Sequence, residues 1–320
     1  MEKLLQVENL KKYFPTPRGL LHAVDDVSFD IDPCTTLGVV GESGCGKSTL
    51  GRTVIGLLAP TEGNVLFSGR EISGLRGSQR KKLSTDVQII FQDPFSCLDP
   101  RLSVRDLIAE PLDVHHAYGS KKERDEKVAG LMETVGLAAR FAGSYPHELD
   151  GGRRQRIGIA RALALDPKFI VCDEPVSALD VSIQAQILNL LQDLQETKGL
   201  TYLFITHNLS VVKHISDDIL VMYLGTVVER APKKALYRSP RHPYTQALLS
   251  AIPIPTVRQN NKRIILQGEI SSPIDPGPGC RFAPRCPFAT EQCFRETPRA
   301  QNVGENHYVA CHNLSSVSDA

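Results

Sequence analysis

The segment Gly41-Glu42-Ser43-Gly44-Cys45-Gly46-Lys47-Ser48-Thr49 follows an apolar run at 37–40 and leads into a helical pattern at 50–58. Strand, glycine-rich loop and helix in that order restrict the fold more tightly than any other feature of the chain. The glycines let successive backbone N–H groups converge on phosphate oxygens, and the helix directs its positive end at the same point. Lys47 is expected to reach the β- and γ-phosphates, and the Ser48 hydroxyl to ligate Mg²⁺.

The first 235 or so residues agree with a sheet built around that loop. Runs at 87–91, 169–172 and 202–205 are apolar on both faces, the pattern of parallel strands covered by helices on each side. Ile183, Ile187, Leu190, Leu191 and Leu194 recur at helical spacing between two of these runs and form a crossover. The class is α/β. Residues 96–158 carry no strand pattern, while 123–135 reads as a charged amphipathic helix, so this stretch is expected to be a helical insertion. Beyond about residue 236, Ser-Pro-Arg-His-Pro, Ile-Pro-Ile-Pro and Asp-Pro-Gly-Pro-Gly bring proline too often for long helices or central strands. A loop-rich appendix is expected there, needing some other source of stability.

Composition excludes several classes. A chain of 320 residues, 41% apolar and 23% charged, suits one large or two modest globular domains. With 37 basic against 36 acidic residues, no whole-chain field draws it to nucleic acid or to an anionic membrane, and no nucleic-acid partner is expected. Apolar stretches such as 219–224 fall far short of the roughly 20 residues that span a bilayer. The amino end lacks the apolar core and cleavage site of a secretory signal, so a cytosolic protein is expected. The 8 cysteines are too few and too unevenly placed for a disulfide scaffold.

The segment Phe169-Ile170-Val171-Cys172-Asp173-Glu174-Pro175 delivers two carboxylates at the carboxyl end of a strand, where open α/β sheets bind ligands. Asp173 suits Mg²⁺, usually through water, because hard cations take carboxylate oxygen. Glu174 is placed to orient or deprotonate an attacking water. Loop and acidic pair together point to nucleotide hydrolysis. At this point the chain resembles the ATP-binding subunits of ABC transporters, because four further segments occur in that family's order. Gln92 resembles the glutamine loop, whose side chain reaches Mg²⁺ and senses the membrane subunit. Leu149-Asp150-Gly151-Gly152-Arg153-Arg154-Gln155-Arg156 resembles the signature segment. Ser177-Ala178-Leu179-Asp180 resembles the loop that communicates across the dimer, and His207 matches the switch histidine near the γ-phosphate. Phe14 stands where the family places an aromatic that stacks on adenine; Tyr13 is the adjacent alternative, and simple core packing is another. The resemblance implies a P-loop ABC-type nucleotide-binding domain over 1–235, with a RecA-like core and a helical subdomain at about 96–158. Two such domains would sandwich two ATPs, each held between the phosphate loop of one and the signature of the other.

The family usually has serine where this chain has Asp150 and glutamine where it has Arg153. A serine hydroxyl donates to a γ-phosphate oxygen, whereas an ionised carboxylate only accepts. Like charges about 4 Å apart cost roughly 4 kcal/mol at an effective dielectric near 20. Two readings stand: Asp150 caps a helix from about 151 to 164 and Arg153 neutralises it, or the signature is degenerate and one composite ATP site is weak. Cys45, inside the phosphate loop, is expected to have its thiol pKa lowered by converging N–H dipoles. Cys34, Cys97 and Cys172 read as small buried hydrophobes.

Over 236–320, Arg241-His242-Pro243-Tyr244-Thr245-Gln246-Ala247-Leu248-Leu249 resembles a segment of ATPases serving oligopeptide, dipeptide and nickel importers. That resemblance implies a peripheral subunit on the cytoplasmic face of the membrane. Its expected partners are a second ATP-binding subunit in a heterodimer, two transmembrane permease subunits and, through these, an extracytoplasmic solute-binding protein. Cys280, Cys286, Cys293 and Cys311 are spaced unlike the close pairs of most structural zinc sites. Four thiolates suit an iron–sulfur cluster, and members of the dipeptide group carry one in this region, so a [4Fe–4S] cluster is expected. Zinc, with His307 or His312 as spare ligands, and unligated or oxidised cysteines are the alternatives. The alternative functions are a nickel or other small-solute importer ATPase, a soluble ABC ATPase of translation or DNA repair, and a nucleotide-binding regulatory subunit.

Overall fold

A computed structural model of the chain describes residues 2–252, 263–268 and 271–314. Pro253, Ile254 and Pro255 of the Ile-Pro-Ile-Pro run lie outside the described residues. In chain order the strands are β1 (Leu5–Thr16), β2 (Gly19–Ile31), β3 (Thr36–Val40), β4 (Glu62–Phe67), β5 (Arg70–Glu71) and β6 (Val87–Ile90). They continue with β7 (Phe169–Asp173), β8 (Thr201–Thr206), β9 (Asp218–Tyr223), β10 (Thr226–Pro232), β11 (Gln301–Asn302) and β12 (Tyr308–Val309). The chain divides into two compact units, the first made of Met1–Asp32, Thr36–Gly74 and Thr206–Ala320, the second of Pro33–Thr35 and Leu75–Ile205.

The first unit contains an antiparallel sheet in the order β2-β1-β4-β5. The sequence did not show this sheet, and β1 explains why. Val7 and Leu10 are both buried, three residues apart, because the register shifts between them and Asn9 takes φ 45°. A bulge of this kind breaks the two-residue alternation on which strand reading depends. The same unit places β3 parallel to β9, with Val40 opposite Val221, and β10 antiparallel to β9. All five residues of β3 are buried, as its apolar run indicated. β12 pairs with β10, and β11 with β12.

The second unit carries the parallel strands β6, β7 and β8, with Ile90 opposite Cys172 and Asp173 opposite Ile205. The helices Val104–His115, Lys121–Thr134, Gly151–Leu163 and Val181–Lys198 each begin at a side-chain cap, supplied by Ser103, Ser120, Asp150 and Asp180 respectively. No strand occurs between 96 and 158 among the described residues, in keeping with the pattern read there. Of the three cysteines read as buried, Cys172 is, Cys97 is half-buried, and Cys34 is exposed, its thiol donating to the Gly199 carbonyl at 3.3 Å.

The proline-rich carboxyl-terminal region finds its stability in packing. Tyr223, Tyr244 and Phe282 are at most 1% exposed and meet edge-on, with Tyr223 ring centroids 4.8 Å from Tyr244 and 5.2 Å from Phe282. Glu229, fully buried on β10, accepts the backbone N–H groups of Arg241 and His242 at 2.7 and 3.0 Å and faces His307 Nε2 at 2.6 Å. Burial pushes the His242 imidazole down from 6.5 to about 4, so its Nδ1 stays an acceptor and caps the helix Pro243–Ser250 through the Tyr244 N–H. The unfolded chain protonates this histidine near its ordinary pKa and the fold does not. Its contribution is therefore present above pH 6.5 and lost as pH falls toward about 4. His242→Asn keeps a capping oxygen without titrating; its thermal midpoint should vary less between pH 6.5 and 4 than that of the parent chain.

Candidate active site

The phosphate loop, Phe14 and His207 lie in the first unit. Lys47 is only 4% exposed, and its ammonium donates to the Gly41 and Glu42 carbonyls at 2.8 Å each. A buried charge must be paired or hydrogen-bonded, so Lys47 curls the loop upon itself. Two glycines are sterically required. A Cβ at Gly46, where φ is 101°, would lie 1.9 Å from the Ala23 carbonyl oxygen, and one at Gly41 would lie 2.2 Å from that of Met222. Gly46 precedes the helix Lys47–Val54, so the helix N-terminus opens at the loop. Ser43 and Gly44 are exposed at the tip, and Ser48 and Thr49 are half-buried in the first helical turn. The Cys45 thiol runs against expectation: at 3% exposure, burial pushes its pKa up, and the opposing attraction of Lys47 does not reverse this.

Of the two aromatic candidates, Tyr13 is committed to its own surroundings. Its ring stacks on His22 at 3.9 Å between centroids, and its hydroxyl donates to Asp25, which also contacts His22 Nδ1 at 2.9 Å and Arg281. Burial, then the Asp25 hydrogen bond, pushes the Tyr13 phenol up. Burial alone would raise Asp25, but the hydrogen bonds from Tyr13 and His22 and the Arg281 charge hold it below its ordinary value. Phe14 is half-buried, with the Lys12 ammonium 4.8 Å from its ring centroid. His207 is exposed at the end of β8.

Gln92, the signature residues, Asp173, Glu174 and Asp180 lie in the second unit. Asp173 ends β7 at 1% exposure, and Glu174 follows half-buried with φ 47°. A non-glycine residue in the left-handed region is strained, and such strain gathers at functional sites. The Glu174 N–H donates to the Ile205 carbonyl at 2.9 Å, which fixes this turn to β8. Gln92 Nε2 donates to Glu174 Oε2 at 3.1 Å, so the glutamine loop and the expected base meet across a separation of 82 residues. Asp180 caps Val181–Lys198, and the N–H of Ile183 followed by the Ser182 hydroxyl holds its carboxyl below the usual range. Gly152 is buried, and a Cβ there would lie 2.7 Å from Ile183 Cγ2. The two helix starts, carrying the signature and Asp180, thus touch where glycine removes a side chain.

Asp150 caps Gly151–Leu163 by accepting the Arg153 N–H at 2.8 Å, and its second carboxylate oxygen pairs with the Arg153 guanidinium. That guanidinium lies 4.8 Å from the Phe141 ring centroid. This is the capped and neutralised arrangement of the first reading.

The four carboxyl-terminal cysteines require a correction. Among the described residues, no group of three or more His, Cys, Asp or Glu side chains converges to hold a metal ion. The expected [4Fe–4S] cluster therefore has no support in the geometry. The thiols share one neighbourhood, where burial and then the neighbouring cysteines push Cys286 up to about 11. Thr290 Oγ1 lies 3.4 Å from Cys293 Sγ, and the Asn313 N–H donates to Cys311 Sγ at 3.4 Å. Sequence reading also missed Asp25, Arg281 and Arg285 beside the site. Their only signal is a pair of arginines four apart in Cys280-Arg281-Phe282-Ala283-Pro284-Arg285-Cys286.

A strand, a glycine-rich loop closed on a buried lysine and a helix opening at that loop are those of a P-loop nucleotide-binding protein. Residues 24–177 match the ABC transporter family, and residues 228–293 match the carboxyl-terminal region of oligopeptide/dipeptide transporters. The chain is 53% identical to the oligopeptide transport ATP-binding protein AppF of Bacillus subtilis, over 98% of each chain. It is 49% identical to the oligopeptide transport ATP-binding protein OppF of Escherichia coli, over 96% of this chain and 92% of that one. Among solved structures it is similar to the ATP-binding cassette MJ0796 in its dimeric post-hydrolysis state with ADP and Pi. That likeness has a TM-score of 0.67 and 28% identity over 72% of this chain and 98% of the other. The chain belongs to the ABC transporter ATP-binding family, in the oligopeptide/dipeptide group, and is an ATPase.

The Asp150–Arg153 pair generates a test. Arg153→Gln should leave the carboxylate unneutralised and lower ATPase turnover of the assembled complex by about tenfold or more, the scale of an uncompensated like-charge contact. Asp150→Ser with Arg153→Gln should return turnover to within a few-fold of the parent. A double variant many-fold faster than the parent would instead mark the native signature as degenerate.

Proposed function

We propose that this chain is the ATP-hydrolysing subunit that energises import of short peptides by a binding-protein-dependent ABC transporter. The observation that carries the reading is the union of two features in one chain: an ATPase cassette and the carboxyl-terminal region that marks oligopeptide and dipeptide systems. Relatives near 50% identity over almost the whole chain, named for oligopeptide and di/tripeptide transport, favour peptides over nickel as the cargo. Residues 1–235 form the cassette and 236–320 the extension in this reading.

ATP binds with Mg²⁺. The phosphate loop and Lys47 take the β- and γ-phosphates, Ser48, Gln92 and Asp173 serve the metal, Phe14 stacks on adenine, and His207 senses the γ-phosphate. Glu174, tethered by Gln92, orients or deprotonates the attacking water. A second ATP-binding subunit completes each composite site with its signature and Asp180-type loop. A γ-phosphate bridging two surfaces contributes affinity only to the closed pair, so its hydrolysis shifts the population toward the open one. None of the described helices is long and apolar enough to cross a membrane. Two permease subunits therefore supply the translocation path, with the cassette docked on their cytoplasmic face and an external binding protein delivering the solute.

Glu174→Gln should keep MgATP binding, accumulate ATP-bound closed dimers and lower turnover by about 10²- to 10⁴-fold, the range associated with a lost general base. Reconstitution with the cognate permeases and binding protein tests the cargo. ATP-dependent accumulation of di- and oligopeptides is expected, and transport of nickel chelates without peptides would overturn the assignment.

A further inference from the structure

We propose that Arg281 and Arg285 of the extension are positioning residues for ATP, bracing the two ends of the nucleotide site through Asp25 and Glu42. The inference rests on the ATP-binding reading of the phosphate loop and deepens it. All the groups involved belong to the first unit.

The phosphate-loop arm starts at Arg285, whose side chain is 9% exposed. Its two terminal nitrogens donate to both Glu42 carboxylate oxygens, at 2.8 and 3.2 Å, a forked pairing that fixes the carboxylate in orientation as well as distance. The guanidinium also lies 5.9 Å from the Tyr223 ring centroid. The backbone of Glu42 is held from the same side, its N–H donating to the Tyr244 phenol oxygen at 2.9 Å. Glu42 is the residue whose carbonyl anchors the Lys47 ammonium. Displacing it moves the lysine and the N–H groups that must converge on phosphate. An unpaired Glu42 carboxylate would also face a polyphosphate with like charge.

The second arm starts at Arg281, 11% exposed, which pairs with Asp25 and donates to the Leu224 carbonyl. The Asp25 N–H donates to the Gly225 carbonyl and the Gly225 N–H to the Cys45 carbonyl, each at 2.8 Å. Asp25 also holds Tyr13, the residue before Phe14. One short segment, anchored between its arginines by Phe282 at 1% exposure, thereby reaches both the phosphate loop and the strand that carries the adenine-facing aromatic.

The two arms predict different ligand signatures, which loss of folding alone would not produce. The full-length chain is titrated with MgATP and with Mg-tripolyphosphate, which lacks the base, alongside thermal melting; kcat and KM are read in the assembled transporter. Arg285→Gln should weaken both ligands by tenfold or more and raise KM more than it lowers kcat. Arg285→Lys should recover part of the loss, and Glu42→Gln with Arg285→Gln should recover most of it. Arg281→Gln should weaken ATP at least fivefold more than tripolyphosphate. Unchanged affinities in folded Arg281→Gln and Arg285→Gln chains would overturn the inference, as would losses that the paired Glu42 change does not rescue. These results leave the ATPase reading intact as long as the parent chain binds MgATP; a folded parent chain without that affinity sinks both.

Discussion

The buried ammonium of Lys47 is the constraint on which the nucleotide site depends. A cation at 4% exposure has lost nearly all its water, and two loop carbonyls at 2.8 Å replace it. Those carbonyls come from Gly41 and Glu42, so satisfying the charge closes the loop into a ring with its exposed tip at Ser43 and Gly44. Carbonyl dipoles compensate an ammonium only in part, whereas a phosphate oxygen brings a full opposite charge. The ring of carbonyls thus shapes the loop without a ligand, and a phosphate oxygen would complete the compensation of the charge. The close approaches at Gly41 and Gly46 follow from the same ring, because β9 and the start of β2 press against it from outside.

A second constraint operates at the end of β7. Asp173 and Glu174 are neighbours in sequence with different surroundings: the first is sealed at 1% exposure, and the second turns out of the strand through a left-handed backbone. Adjacent strand residues point to opposite faces, and the left-handed step is what brings the glutamate side chain within reach of Gln92. The hydrogen bond to Ile205 holds that strained step in place. Strand β8 thus acts on the acid without contributing a side chain to it.

Much of this was legible because local chemistry dictated it. The phosphate loop needs glycine and lysine at fixed offsets, the strands β3, β7 and β8 are buried on both faces, and Asp150 and Asp180 are carboxylates standing at helix starts. The antiparallel sheet of the first unit was not legible, since the bulge at Asn9 erases the alternation that would announce β1. The upward shift of the Cys45 thiol was missed because the dipole argument weighs the loop alone, whereas the packing that buries the thiol comes from residues distant in sequence. For the carboxyl-terminal cysteines, four thiols in a short stretch suggested a shared ligand; the thiols do lie near one another, yet among the described residues no group of three or more converges as metal ligands. The arginines at 281 and 285 were invisible for a related reason, their partners Asp25 and Glu42 being 256 and 243 residues away.

The Asp150–Arg153 pair shows why exposure in one chain does not measure importance in the assembly. Its side chains are 56% and 44% exposed, and an ion pair so wet contributes only about 0.2–1 kcal/mol to folding. In the proposed closed dimer the same carboxylate meets a triphosphate across an interface from which water is largely excluded. Lowering the effective dielectric from about 80 to about 20 multiplies a like-charge repulsion fourfold. Arg153 can cancel that repulsion without moving, because the helix start already holds it against Asp150 and the Phe141 ring limits its excursions. In that reading the acid at 150 is tolerated because Arg153 accompanies it, and the energetic consequence belongs to the closed state rather than to the isolated subunit.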